Sequence, residues 1–244
     1  MTVSTSKEPA RIAEMFDAIA RRYDTLNHLL SAGFDRRWRR RAVTALALTG
    51  VERVLDVCTG TADLAIEAVA RETGRAAQVV GVDFAGEMVR LARDKIRRAA
   101  LEDRVHVARG DATRLPLPDA AFDAAMVAFG IRNVVDPVAA CREFSRVLRP
   151  GGRLAVLEFG FPKIPGIRAA YRAYFKHVLP AVGRLVSKHG EAYSYLPASV
   201  EAFPTPGAFA DVLRQSGFGA VEIQSLTLGI VYLYVARKAQ IVTS

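Results

Sequence analysis

Val54-Leu55-Asp56-Val57-Cys58-Thr59-Gly60-Thr61-Ala62-Asp63-Leu64 reads as an apolar strand running into a turn of small residues and then a helix. Small side chains leave the backbone N–H groups of such a turn open to a ligand at close range, so Asp56 and Gly60 are candidate cofactor-site residues. Val79-Val80-Gly81-Val82-Asp83 closes a second strand on an acid, where a carboxylate can accept both hydroxyls of a ribose. Arg109-Gly110-Asp111-Ala112 follows a third strand. There the Asp111 carboxylate can accept from an exocyclic adenine amine while the Ala112 N–H donates to a ring nitrogen. Each feature also has a plain structural reading: a tight turn at Gly60, a solvated strand end at Asp83, a turn cap at Asp111. Three of them at the ends of successive strands converge on one crevice, and together they fit adenosine. With Gly60 as its only glycine, the first turn lacks the G-x-G-x-x-G that seats a pyrophosphate, which argues against a nicotinamide-dependent oxidoreductase.

Strand-like runs at Arg53 to Val57, Gln78 to Asp83, Arg104 to Ala108, Phe122 to Ala128 and Arg153 to Phe159 alternate with helical patterns at Asp63 to Arg71, Gly86 to Ala100 and Pro137 to Leu148. That rhythm predicts a parallel sheet with crossover helices, and Pro150-Gly151-Gly152 predicts a sharp turn. Ala220 to Ser225 and Ile230 to Arg237 are separated by too few residues for a crossover, so they form an antiparallel hairpin. An arginine-rich helical segment, 1–48, precedes this core, and an insertion rich in Tyr, Phe and Pro, 160–206, follows the fifth strand.

The chain of 244 residues, 51% hydrophobic and 24% charged, suits one large α/β domain spanning 1–244. Cys58 and Cys141 form no CxxC pair and the N-terminus carries no apolar leader, which points to the cytoplasm. No apolar run reaches the about 18 residues a bilayer span requires, so any membrane contact is peripheral. No metal-ligand cluster is evident, and His28, His106, His177 and His189 are too scattered to form one.

Tyr23-Asp24-Thr25-Leu26-Asn27-His28-Leu29-Leu30-Ser31 closing at Trp38, Phe129-Gly130-Ile131-Arg132-Asn133-Val134, and Arg146 to Gly152 leading to Glu158-Phe159 resemble the motifs of the quinone-biosynthesis C-methyltransferases, the demethylmenaquinone and ubiquinone methyltransferase family. Tyr193-Ser194-Tyr195-Leu196-Pro197 resembles that family's substrate-side insertion. Leu26, Asp35 and Ala62 stand where the family more usually has Met, His and Gly, and Ala128 where some relatives have Ser. The resemblance implies a Rossmann-like class I methyltransferase fold, with a mostly parallel seven-stranded sheet and a C-terminal antiparallel hairpin. It implies S-adenosyl-L-methionine as cofactor, bound by Thr61 together with Asp83, Asp111 and Ala112, and a prenylated quinol as substrate, contacted by Tyr23, Asn27, Tyr193 and Tyr195. A demethylmenaquinol is favoured over a benzoquinol.

The same resemblance suggests catalytic roles. Methylating a ring carbon requires an adjacent hydroxyl to lose its proton and the ring proton to leave afterwards. Arg132 would stabilise phenolate charge, Asn133 would orient the ring or a water, and Asp63 would help accept a proton through that water. In the plainer reading Asp63 caps its helix and Arg132 pairs with it.

The net charge of +9 favours anionic partners. Ile167 to Val186 sets Ile167, Ala170, Tyr171, Tyr174, Phe175 and Val178 on one helical face, with Arg168, Arg172, Lys176 and Arg184 elsewhere and a kink at Pro180. Such a segment can be a lid, a face on an anionic membrane or a core-packing helix. Arg36, Arg37, Arg39, Arg40 and Arg41 add to the surface charge and equally suit a solvated face or an RNA contact, although nucleic acid is not the expected partner. The chain could also assemble as a homo-oligomer.

Overall fold

The computed structural model describes residues 9–178 and 191–240, apart from the side chains of Pro9, Arg21 and residues 191–194. Seven strands form one sheet in the order β3-β2-β1-β4-β5-β7-β6: β1 (Arg53–Val57), β2 (Gln78–Asp83), β3 (Val105–Arg109), β4 (Phe122–Ala128), β5 (Leu148–Phe159), β6 (Phe218–Leu226) and β7 (Val231–Lys238). The first five strands run parallel, and β7 is antiparallel to both β5 and β6, as the two closely spaced C-terminal runs require. β1 and β4 lie at the centre and are covered on both faces, which is why they read as continuous apolar runs. From β1 the order goes to β2 and β3 on one side and to β4 and β5 on the other. The crevice therefore opens where the carboxyl ends of β1 and β4 part.

Among the described residues eight helices flank the sheet: α1 (Pro9–Leu30), α2 (Phe34–Ala45), α3 (Asp63–Ala70), α4 (Gly86–Arg98), α5 (Pro137–Val147), α6 (Pro165–Ala173), α7 (Glu191–Ala202) and α8 (Pro206–Gln215). On one face α2, α3 and α4 bury Trp38, Val43, Leu64, Val69, Ala92 and Ile96; on the other, α5 and α8 bury Phe144, Val147, Phe209 and Leu213. Both of the latter helices begin with Pro after a capping residue. Asp136 accepts from the Ala139 N–H at 2.9 Å and Thr205 from the Ala208 N–H at 3.4 Å. Helix α1 reaches over the end of the sheet: Ala20 packs on Ala85 and Met88, and Leu26 joins Tyr171, Phe175 and Val200.

Two expectations are corrected. Pro150-Gly151-Gly152 is not a turn between elements but lies inside β5, which begins at Leu148; the pairing with β4 skips from Phe122–Leu148 to Ala124–Arg153, and Gly151 takes φ 75°. The extra residues bulge out of the ladder without ending the strand. The single amphipathic helix expected from Ile167 ends as α6 at Ala173 and continues as a π-helical turn over Tyr174–Val178. Pro180, Arg184 and the rest of that expected face lie outside the described residues, as does His189. Among the described residues no helix is long and apolar enough to cross a membrane, and no His, Cys, Asp and Glu cluster could hold a metal ion.

Candidate functional site

A cavity of about 530 Å³ opens at the carboxyl ends of the strands, lined by Gly60, Asp83, Asp111, Ala112, Phe129 and Asn133 among others. Asp83 spans the crevice: one carboxylate oxygen accepts from the Gly60 N–H at 2.8 Å, the other from the Ala85 N–H at 2.9 Å. Burial raises its pKa above the ordinary carboxylate value, and the two amide bonds oppose that rise. Asp111 Oδ1 accepts from both the N–H and the hydroxyl of Thr113 at 2.8 Å, while its Oδ2 makes no hydrogen bond to a described residue. The turn-cap and ligand readings of Asp111 are thus compatible, one oxygen for each. Asn133 Oδ1 is buried and has no protein partner. A buried acceptor left open is costly, so it marks a place where a ligand donor fits.

The backbone around this cavity is tightly folded. Cys58, Ala62 and Phe129 adopt φ of 54°, 69° and 58°, the left-handed region that non-glycine residues seldom enter. Ala62, where the family more usually has Gly, keeps the glycine conformation. A Cβ at Gly130 would overlap that of Cys58, so the Cys58 side chain packs directly on the Gly130 backbone and joins the loops after β1 and β4. Burial pushes the Cys58 thiol well up, so it stays protonated.

Three residues read as cofactor or catalytic groups line neither cavity. Asp56 lies beneath the turn, 1% exposed, accepting from the Thr59 hydroxyl at 2.6 Å; burial pushes its pKa up to about 7. The Thr61 hydroxyl donates to Asp24 at 2.5 Å and accepts from Lys95 Nζ at 3.0 Å. Asp63 is held by Lys95 at 2.6 Å and by Arg39 at 3.1 Å. Held between two cations and facing neither cavity, it has the geometry of an anchor. Nor does it cap α3, whose N-cap is Ala62 without a side-chain bond. Asp24, Thr61, Lys95 and Asp63 tie α1 to the core.

The second cavity, of about 430 Å³, lies on the helical side and is lined by Asn27, Trp38, Arg39, Arg132, Phe159 and Tyr195 among others; Phe16, Tyr23 and Phe129 line both cavities and form their shared wall. Its walls are aromatic. The Phe129 and Phe159 rings are 4.5 Å apart, and Trp38 meets each edge-on while its indole N–H donates to Thr227 at 2.8 Å. Arg132 is buried and pairs with Glu158 at 2.8 Å, not with Asp63. It also donates to the Phe129 carbonyl and, at 3.3 Å, to Ser199, and lies 5.3 Å from the centre of the Phe159 ring. Its Nη2 makes no hydrogen bond to a described residue. The Tyr195 hydroxyl is buried without a partner, and burial keeps that phenol protonated. Burial likewise raises Tyr23, against the Asn27 hydrogen bond and the charges of Arg132 and Arg39. The Tyr193 side chain lies outside the described residues.

Arg39 and Glu158 were missed as site residues. Arg39, read above as surface charge, is buried and paired with Asp35 at 2.6 Å. The four-residue spacing of Asp35 and Arg39 on one helix was the available signal. Glu158, fully buried at the end of β5, ranked only as part of a motif.

The profile of the ubiE/COQ5 methyltransferase family matches residues 2–238. The chain belongs to that family. It is 51% identical over 220 residues to the ubiquinone/menaquinone biosynthesis C-methyltransferase UbiE of Syntrophotalea carbinolica, covering 90% of this chain and 91% of that protein. It is 47% identical to the demethylmenaquinone methyltransferase of Deinococcus radiodurans, over 93% and 92% of the two chains, and 48% identical to that of Thermus thermophilus, over 92% and 100%. Among solved structures, the [4+2]-cyclase SpnF superposes with a TM-score of 0.71 at 20% identity over 98% of both chains. A SAM-dependent methyltransferase from Thermotoga maritima gives 0.64 at 20% identity over 93% and 99%. These likenesses extend the class I methyltransferase fold to this family member, and the cyclase shows that the fold alone does not dictate the reaction. Family membership makes the chain a methyltransferase, and its fold is that of the class I enzymes.

Proposed function

We propose that the enzyme methylates a ring carbon of a prenylated quinol, converting demethylmenaquinol to menaquinol with S-adenosyl-L-methionine as donor. The observation that carries this reading is the pair of cavities meeting at Tyr23 and Phe129, one edged by strand-end carboxylates and the other walled by aromatic rings around a buried arginine. The first cavity fits the cofactor: Asp83 for the ribose hydroxyls, Asp111 and the Ala112 N–H for the adenine edge, Gly60 for close approach, and the open Asn133 Oδ1 for a donor. When bound, S-adenosylmethionine supplies a methyl group already activated on a sulfonium, so the protein's task is alignment and exclusion of water. Asp56 and Thr61 support the loop from behind.

In the second cavity, Phe129, Phe159 and Trp38 hold the ring, and Tyr23 and Asn27 border it where the cavities meet. Arg132 carries the charge that stabilises a phenolate, and the Tyr195 hydroxyl donates to a ring oxygen. Arg132 thus keeps its proposed role and Asp63 becomes a support for Arg39. The ring choice rests on the demethylmenaquinone methyltransferases among the relatives; an RNA substrate has no such support.

The test is methyl transfer from radiolabelled S-adenosylmethionine to reduced short-chain demethylmenaquinol, beside the matching benzoquinol and total RNA, with Asp83→Ala as control. Label in the naphthoquinol that vanishes with Asp83→Ala is expected. Label only in the benzoquinol reassigns the ring, and label only in RNA overturns the reading.

A further inference from the structure

The aromatic cavity reaches the surface where its lining residues are exposed. Of the residues lining it, Ala32, Phe34 and Ala170 are exposed, so its mouth lies between the start of α2 and α6. Large apolar side chains stand out around that mouth: Leu29 is 59% exposed beside the lining residue Leu30, and Ile164 and Val178, at the two ends of the segment formed by α6 and the π-helical turn, are 51% and 44% exposed. Along that segment only Tyr171 and Phe175 are buried, both turned into the cluster with Leu26. Exposed cations surround the same mouth: Arg36 and Arg37 on α2, and Lys163, Arg168, Arg172 and Lys176 on the other side. The Arg37 guanidinium sits 5.9 Å from the centre of the exposed Phe34 ring. Residues 163–178 contain no acid. Asp35, the acid on the α2 side, is buried and engaged by Ser31, His28 and Arg39.

Exposed apolar side chains among cations, with no acid in residues 163–178 and Asp35 engaged, suit a surface that is apolar within and anionic at its face, and that is a bilayer carrying anionic headgroups. RNA would explain the cations but not Leu29, Ile164 and Val178. We propose that this rim docks on an anionic membrane with the cavity mouth facing the bilayer. Resting on the acceptor reading above, the rim then admits the prenylated ring directly from the lipid. A cavity of about 430 Å³ is of the size that holds one drug-sized molecule, so a long prenyl tail must extend through the mouth, and a bilayer supplies the apolar medium it needs there.

The experiment is co-sedimentation of the full chain with phosphatidylcholine vesicles, with and without phosphatidylglycerol, at low and high salt. Binding is expected to the anionic vesicles at low salt. It should weaken about tenfold or more in the double variant Arg168→Glu, Arg172→Glu and measurably in Ile164→Ser, which leaves the charge untouched. Circular dichroism checks that these exposed substitutions leave the fold intact. Both variants should methylate a short-chain, water-soluble acceptor at the wild-type rate and lose about tenfold on a long-chain acceptor embedded in vesicles. No binding to anionic vesicles, binding indifferent to both variants, or salt-dependent binding to RNA alone overturns the docking surface. If the wild-type protein methylates neither acceptor yet binds vesicles with this sensitivity, the acceptor reading falls and the docking surface stands.

Discussion

The cavity at the strand ends draws its polar groups from the ends of the strands, while the aromatic cavity adds to Arg132, which follows β4, groups from helices outside the sheet. Asp83 closes β2 within the ladder, and Gly60 and Asp111 follow β1 and β3 by a few residues, so the strands carry all three to one edge of the sheet. Arg39, Asn27, Tyr171 and Tyr195 come from α1, α2, α6 and α7, brought together only by packing and by a few long-range bonds such as Trp38 to Thr227. One cavity is a consequence of topology and the other of particular side chains. The [4+2]-cyclase shares the fold at 20% identity, so the fold does not by itself carry the reaction.

The largest expected effect separates the two cavities through Arg132. Replacing it with Ala leaves Glu158, fully buried, without its counter-charge, a change worth about 3–5 kcal/mol in stability. A double variant, Arg132→Met with Glu158→Gln, removes both charges and should recover most of the melting temperature. It should still show kcat/KM reduced by about 100-fold or more, with cofactor affinity by calorimetry unchanged. Recovery of activity together with stability would reduce the pair to a structural device and erase the distinction drawn here.

The cofactor side offers the second test, in its pH dependence. Asp56 has its pKa raised by burial from 3.8 to about 7. Its contribution to stability is fully present below the unfolded value and is lost as pH rises through the folded one, because the unfolded chain releases the proton first. Asp56→Asn removes that loss while leaving an oxygen to accept from Thr59. The stability of the variant relative to the wild type should therefore climb by a few kcal/mol over this window and level off above it, followed by chemical denaturation at each pH. A flat difference would mean that the carboxylate is solvated and that the turn is looser than its packing implies.

The contrast between the cavities also governs how much of the molecule was legible. Alternating apolar runs and small-residue turns give β1 to β4, the hairpin and the three strand-end positions, because a parallel ladder leaves each of those residues little choice of place. Within β5 the same reasoning failed at Pro150-Gly151-Gly152, since turn-forming residues inside a sheet can bulge and let the strand resume. The ion pairs of Asp63 could not be read from the sequence, because its cationic partners, Arg39 and Lys95, lie on separate helices whose mutual packing no local spacing encodes. Arg39 looked like one more exposed arginine in a run of them, although the i,i+4 spacing to Asp35 on the same helix marked it. Buried pairs between distant elements carry no periodicity, so their members read as surface charge until the helices are packed.

Tyr195 gives the smallest expected effect and the sharpest, since its two readouts point in opposite directions. Its hydroxyl is buried with no partner, and burial keeps it protonated, a donor without an acceptor. If the group served the fold, removing it would lower stability. As a group held open for a ring oxygen, it costs the unliganded protein part of its desolvation free energy, about 1 kcal/mol or more. Tyr195→Phe should thus raise the melting temperature by a few degrees and raise KM for the acceptor about tenfold, the loss of one hydrogen bond to the ligand. KM for the cofactor should stay as it was, because Tyr195 borders only the aromatic cavity. A protein that becomes both less stable and equally active would place the missing partner inside the chain.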